Sequence, residues 1–94
     1  MSEKKAVRAN IRGVVQGVFF RKATIDAARQ IGVAGWVRNK PDGSVEAFIE
    51  GNAGKVDKLV QWCRKGPPMA TVQDINVSEE TYTGEHTDFT VKHS

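Results

Sequence analysis

Gly13-Val14-Val15-Gln16-Gly17-Val18-Phe19-Phe20-Arg21 places a strand end, a glycine-hinged loop and the first turn of a helix in immediate succession. A bend between a strand and a helix N-terminus leaves several backbone N–H groups without intrahelical partners, and these can converge on an anion. Arg21 adds a positive fork beside them. Gly13 and Gly17 allow the positive φ or close approach that such a loop needs. Glycines beside one arginine also occur in plain strand-to-helix connections, so the meaning of this loop depends on the rest of the chain.

Before the loop, Val7, Ala9, Ile11 and Gly13 alternate with Arg8, Asn10 and Arg12, the period of two of a strand with one buried and one wet face. After the loop, Phe20, Thr24, Ala27, Ala28 and Ile31 recur at helical spacing, and Gly32 supplies a C-cap. Residues 35–39 form a short strand, and Lys40-Pro41-Asp42-Gly43 is a turn of the kind that joins antiparallel strands. Val45 to Glu50 returns as a third strand, with Glu46, Phe48 and Glu50 on a face that is partly covered or wet. Asn52 caps a second helix from about residue 53 to 65, whose apolar stripe is Val56, Leu59, Val60 and Cys63 and whose stop is Gly66-Pro67-Pro68. Thr71 to Glu79 reads as a strand with Gln73, Ile75 and Val77 on one parity. Residues 80–87 are a polar turn region, and Phe89 and Val91 mark a last short strand. The order predicts an α+β, ferredoxin-like split βαβ sandwich, an antiparallel sheet with two helices packed on one face.

Ninety-four residues suffice for one compact domain, expected over 6–94, with 1–5 as a flexible charged tail. No apolar run approaches the roughly 18 residues of a membrane span, and no apolar stretch follows the charged N-terminus as in a secretory signal, so a cytoplasmic protein without membrane contact is expected. The single cysteine, Cys63, excludes an internal disulfide framework and builds no thiolate metal site alone, which favours chemistry without a cofactor. A net charge of +3, with no massed basic run, suits small anions better than nucleic acid.

In the expected fold the loop after the first strand opens beside the end of the 35–39 strand, where Arg21 and Asn39 can meet. Asn39 offers a donor and an acceptor to one small partner, although a turn residue bonded to its own backbone is the plainer reading from local context. Arg12, Lys22, Arg38 and Lys40 read as solvated surface charges in preference to a device that enriches anions near the site. His86 and His93 lack partners at ligand spacing. Trp36 and Trp62 read as packing residues, with Trp36 close enough in sequence to Asn39 to report on it. Phe20 reads as core; Phe19 stays open between packing and substrate contact.

The stretch from Gly13 to Arg21 resembles the first signature of the acylphosphatase family, G-x-V-Q-G-V-x-F-R, at every specified position, and Gly35-Trp36-Val37-Arg38-Asn39 resembles the second. The resemblance covers about residues 6–92. It implies hydrolysis of small-molecule acyl phosphates to carboxylate and inorganic phosphate without metal, by an enzyme expected here to be free-standing and monomeric. Carried over residue by residue, it implies Arg21 as the phosphate-binding arginine, Asn39 as the residue that positions water, and Val15, Gln16, Gly17, Val18, Phe19 and Phe20 as the phosphate-binding loop. Three rival readings stand beside it. An RNA-recognition module shares the fold, but the first strand presents Arg8, Asn10 and Arg12 where such modules expose aromatics. A non-catalytic anion-binding domain would keep the cradle, and a module of a larger carbamoyl-transferring protein is compatible with the family.

Overall fold

The computed structural model describes residues 3–93. Its elements are β1 (Lys4–Val14), α1 (Phe20–Ile31), β2 (Ala34–Asn39), β3 (Val45–Asn52), α2 (Ala53–Lys65), β4 (Thr71–Glu80) and β5 (Phe89–Val91). The sheet order is β4-β1-β3-β2-β5, with β1 antiparallel to both β3 and β4, and β2 antiparallel to β3. Those four strands and two helices make the expected ferredoxin-like frame. β5 departs from it by pairing parallel to β2, with Gly35 opposite Phe89 and Val37 opposite Val91, so the sheet is mixed. The reason is topological. β4 ends at the end of the sheet where β2 begins, and a chain that crosses there to the far edge must run the same way as β2.

The alternation that defines β1 buries Val7, Ala9 and Ile11 beside Val45, Ala47 and Ile49 of β3 and Val37 of β2, all 2% exposed or less. Val56, Leu59 and Cys63 of α2 and Phe20, Thr24 and Ala28 of α1 close over this face. Removing such apolar surface from water is the main drive for the layered arrangement. The caps act as the sequence predicts. Asn52 accepts from Lys55 N at 3.2 Å, and Gly32 and Gly66 return their N–H groups to Ala28 O and Trp62 O, each at 2.8 Å. At Gly35, φ is +141° and an added Cβ would overlap the Phe48 carbonyl, so the second signature opens on glycine because β2 and β3 meet there without room for a side chain.

Four sequence expectations shift. Lys4 and Lys5 belong to β1, opposite Asn52 and Gly51, rather than to a tail. Met1 and Ser2 of that tail, and Ser94, lie outside the described residues. A register shift between β1 and β4 at Arg12 and Gly13 places Val72 opposite Gly13, so Val72 and Ile75 pack against the core while Gln73 is exposed. Trp36 points to the face opposite Asn39, where it stacks on Phe48 at 6.2 Å with Lys92 Nζ 4.6 Å from its ring centre. Trp62 is the tryptophan that touches the first signature, edge to face against Phe20 at 5.8 Å.

The fourth shift concerns the open face of β3, where Glu46, Phe48 and Glu50 are 8%, 5% and 1% exposed. Residues 81–88 cross this face on their way to β5. Glu50 anchors the crossing: its carboxylate accepts from Thr83 N at 2.8 Å, Thr83 Oγ1 at 2.9 Å and Gly84 N at 3.3 Å, and lies 2.8 Å from His86 Nδ1. Burial pushes this carboxyl up, but the bonds from Thr83, His86 and Gly84 outweigh it and hold it at about 2. A folded value below the ordinary 4.5 means that the group stabilises the fold above pH 4.5, and that the stabilisation is lost as pH falls toward 2. The shift corresponds to roughly 3 kcal/mol at neutral pH. Urea unfolding should therefore show Glu50→Gln less stable than the wild type by about that amount at pH 7, with the gap closing as pH approaches 2.

Candidate active site

The first signature loop leaves β1 at Val14 and enters α1 at Phe20. Val15 is buried in the core, and Val18 packs against it half-buried. Between them Gln16 turns its amide away from the loop, and Nε2 donates to Lys40 O at 2.8 Å and Ser44 O at 2.9 Å. Those carbonyls flank the turn that follows Asn39, so Gln16 fastens the loop to the end of β2. The turn is itself closed by Lys40 N on Ser44 O at 2.9 Å and by Asp42, whose Oδ1 accepts from Ser44 Oγ at 2.6 Å and Ser44 N at 2.9 Å. Hydrogen bonds from Ser44 hold the Asp42 carboxyl below its usual range.

Gly17 has φ +74° and Phe19 φ +60°, ψ +25°, while Val18 and Phe20 between and after them keep negative φ. This alternation is the backbone pattern that turns successive N–H groups toward one concave side. Gly17 needs no side-chain room, since an added Cβ would meet nothing within 4 Å; its glycine serves the left-handed backbone. Phe19 has no such excuse. Among the described residues it is the only non-glycine with positive φ, a conformation that costs on the order of 1–3 kcal/mol in a bulky residue. It occupies the N-cap of α1 without a capping side-chain bond, so N–H groups of the first helical turn stay available to a ligand.

Val15, Gly17, Phe19, Phe20, Arg21 and Asn39 line one cleft of about 640 Å³, a size common for small-molecule sites. Gln16 and Val18 lie outside its lining. The structure thus brings Arg21 and Asn39 to one cavity with the loop between them. Lys22 pairs with Asp26 at 3.2 Å, and Arg29 binds Asp88 through Nε at 3.1 Å and Nη2 at 3.0 Å. Arg21, half-buried, makes no ion pair or side-chain hydrogen bond among the described residues. Its guanidinium is the uncompensated positive charge of the cleft on the α1 side. Opposite in kind, Asn39 Oδ1 is the one buried side-chain polar atom among the described residues without a hydrogen-bond partner. Burying an acceptor unsatisfied costs roughly 1–3 kcal/mol, and each such atom calls for an account.

Of the surface cations considered from sequence, only Lys22 lines the cleft. Arg38 is on the open face with Glu46 at 2.7 Å, Arg12 is 4.0 Å from Asp42, and Lys40 reaches Asn10 at 3.4 Å. The far wall of the cleft was not read from the sequence at all. Thr90, Val91 and His93 arrive there because β5 adds to β2, and Ile25 and Arg29 face them from α1. No local pattern announces that pairing. Among the described residues no three His, Cys, Asp or Glu side chains converge as metal ligands.

The acylphosphatase family profile matches residues 7–91. Two relatives bearing that name are the protein of Rubrobacter xylanophilus, 52% identical over 96% of this chain and 82% of its own length, and that of an Anaeromyxobacter species, 50% identical over 99% and 100%. Among solved structures, the acylphosphatase of Bacillus subtilis superposes with a TM-score of 0.90 at 34% identity, over 95% of this chain and 99% of that one.

Proposed function

The chain belongs to the acylphosphatase family, enzymes that hydrolyse acyl phosphates, and we propose that its loop 15–20 and Arg21 hold the phosphate while Asn39 orients the attacking water. The observation that carries this reading is the buried, partnerless Oδ1 of Asn39 in the same cleft as an unpaired guanidinium. An amide oxygen that accepts one proton of a water fixes that water's orientation and leaves a lone pair directed at phosphorus. It is too weak a base to remove the proton.

The reaction asks little more of the protein. The water oxygen forms a bond to phosphorus as the bond from phosphorus to the acyl oxygen breaks, and the electron pair leaves on the carboxylate. That leaving group has a conjugate acid with a pKa of about 4, so it departs without a general acid. The water proton passes to a non-bridging phosphate oxygen of the substrate. In a loose phosphoryl-transfer transition state the remaining demand is alignment and compensation of charge on the equatorial oxygens, which Arg21 and the loop amides provide in a fixed geometry. No step in this scheme calls for a metal ion.

The enzyme works as a cytoplasmic monomer in this reading. The sole cysteine, Cys63, is buried with its thiol pushed up to about 12, so it offers neither a disulfide nor a nucleophile. Among the described residues no helix is long and apolar enough to cross a membrane. Hydrolysis of benzoyl phosphate, followed by its ultraviolet absorbance with excess chelator present, tests the reading. Turnover that survives chelation is the expected result; turnover that chelation abolishes contradicts the metal-free scheme, and none above the uncatalysed rate moves the reading to a non-catalytic anion-binding domain.

A further inference from the structure

Phe19 departs from local preference in three ways at once. Its backbone is left-handed without the side-chain hydrogen bond that lets asparagine or aspartate sit there, it fills an N-cap position with a group that cannot accept an N–H, and its ring is 77% exposed. Asparagine or glycine would satisfy the backbone, and no packing in the folded chain calls for an aromatic. The cleft does. Phe19 lines it beside Arg21, while the next residue, Phe20, is 2% exposed and committed to the core.

The surroundings indicate what an exposed ring would meet. Past Arg21 the lysine and the second arginine of the cleft are paired, Lys22 with Asp26 and Arg29 with Asp88, so among the described residues no further Lys or Arg of the lining is left uncompensated, and Thr90 and His93 are the other polar lining. Ile25 and Val91 are half-buried apolar lining, and the volume of about 640 Å³ extends beyond the loop and Asn39 to reach them. Departures from local rules concentrate where function needs them. From the strained backbone, the exposed ring and the charge-compensated wall we infer that Phe19 determines specificity for the acyl half of the substrate, its ring a platform on which a planar, apolar acyl group packs while the phosphate sits in the loop. The inference rests on the phosphate reading above, which fixes where the acyl group must begin.

The test compares benzoyl phosphate with acetyl phosphate in the wild type, Phe19→Asn and Phe19→Trp, with inhibition by inorganic phosphate measured alongside. Asn keeps the left-handed backbone and removes the ring; Trp keeps an aromatic face. The ratio of kcat/KM for benzoyl phosphate to that for acetyl phosphate should fall about tenfold in Phe19→Asn, chiefly through KM for the aryl substrate, and stay at or above the wild-type ratio in Phe19→Trp. A ratio unchanged in Phe19→Asn overturns the inference, as does an equal loss on both substrates with weakened phosphate inhibition, which would place the role of Phe19 in the loop backbone alone. Wild-type protein inactive on both substrates would overturn the phosphate reading instead, so the two failures are distinguishable.

Discussion

Arg21→Ala is expected to lower kcat/KM for benzoyl phosphate by ~10³-fold and to abolish inhibition by inorganic phosphate at the same time. The two losses go together if, as proposed, the guanidinium contacts the phosphate in the ground state as well as at the transition state. The substitution should leave the fold intact, since Arg21 is half-buried on the first turn of α1 and no carboxylate among the described residues depends on it. A circular dichroism spectrum and urea midpoint like the wild type would confirm that the loss is local. Lysine at this position should restore only part of the activity, because an ammonium is a point charge without the planar fork. Phosphate inhibition undiminished in Arg21→Ala would remove the arginine from the binding role.

Asn39→Ala should behave differently. Its expected effect is a fall in kcat of roughly 10²- to 10³-fold, with the inhibition constant for inorganic phosphate close to the wild-type value. In the proposed division of roles Asn39 contributes an acceptor to the water, not a donor to the anion, so removing it should leave the phosphate contacts in place. The alanine also removes the buried acceptor, so stability should hold or rise slightly rather than fall. Equal weakening of phosphate binding in both variants would refute the division of labour between the two residues.

Much of this architecture is legible in the residues because local and global preferences agree. The two-residue alternation of β1, the helical stripe of α2 with its Asn52 cap and Gly66 stop, and the turn at Pro41-Asp42-Gly43 each reproduce the element they predict. The loop and Asn39 are legible for the same reason: each lies at the junction of two well-marked elements. The parity of β2 separates Trp36 from the site. Trp36 and Asn39 are three residues apart on a strand, an odd offset that sends their side chains to opposite faces, so nearness in sequence did not make Trp36 a neighbour of the site.

What the sequence hides depends on long-range pairing. β5 is only three residues long, and its parallel place beside β2 follows from where the crossing segment lands, not from its own pattern. The wall of the cleft at Val91 and His93 is hidden with it. Glu50 reads from alternation as a residue on a partly covered or wet face, yet it is 1% exposed because a segment more than thirty residues later folds over it and donates to both carboxylate oxygens. The strain at Phe19 is equally silent, since nothing in the residue type announces a left-handed backbone.

In the proposed scheme a water held by Asn39 attacks phosphorus rather than the acyl carbon. Hydrolysis of benzoyl phosphate in ¹⁸O-labelled water, with mass analysis of both products, tests it most directly. Label should appear in inorganic phosphate and be absent from benzoate; label in benzoate would mean attack at the carbonyl and would overturn the scheme.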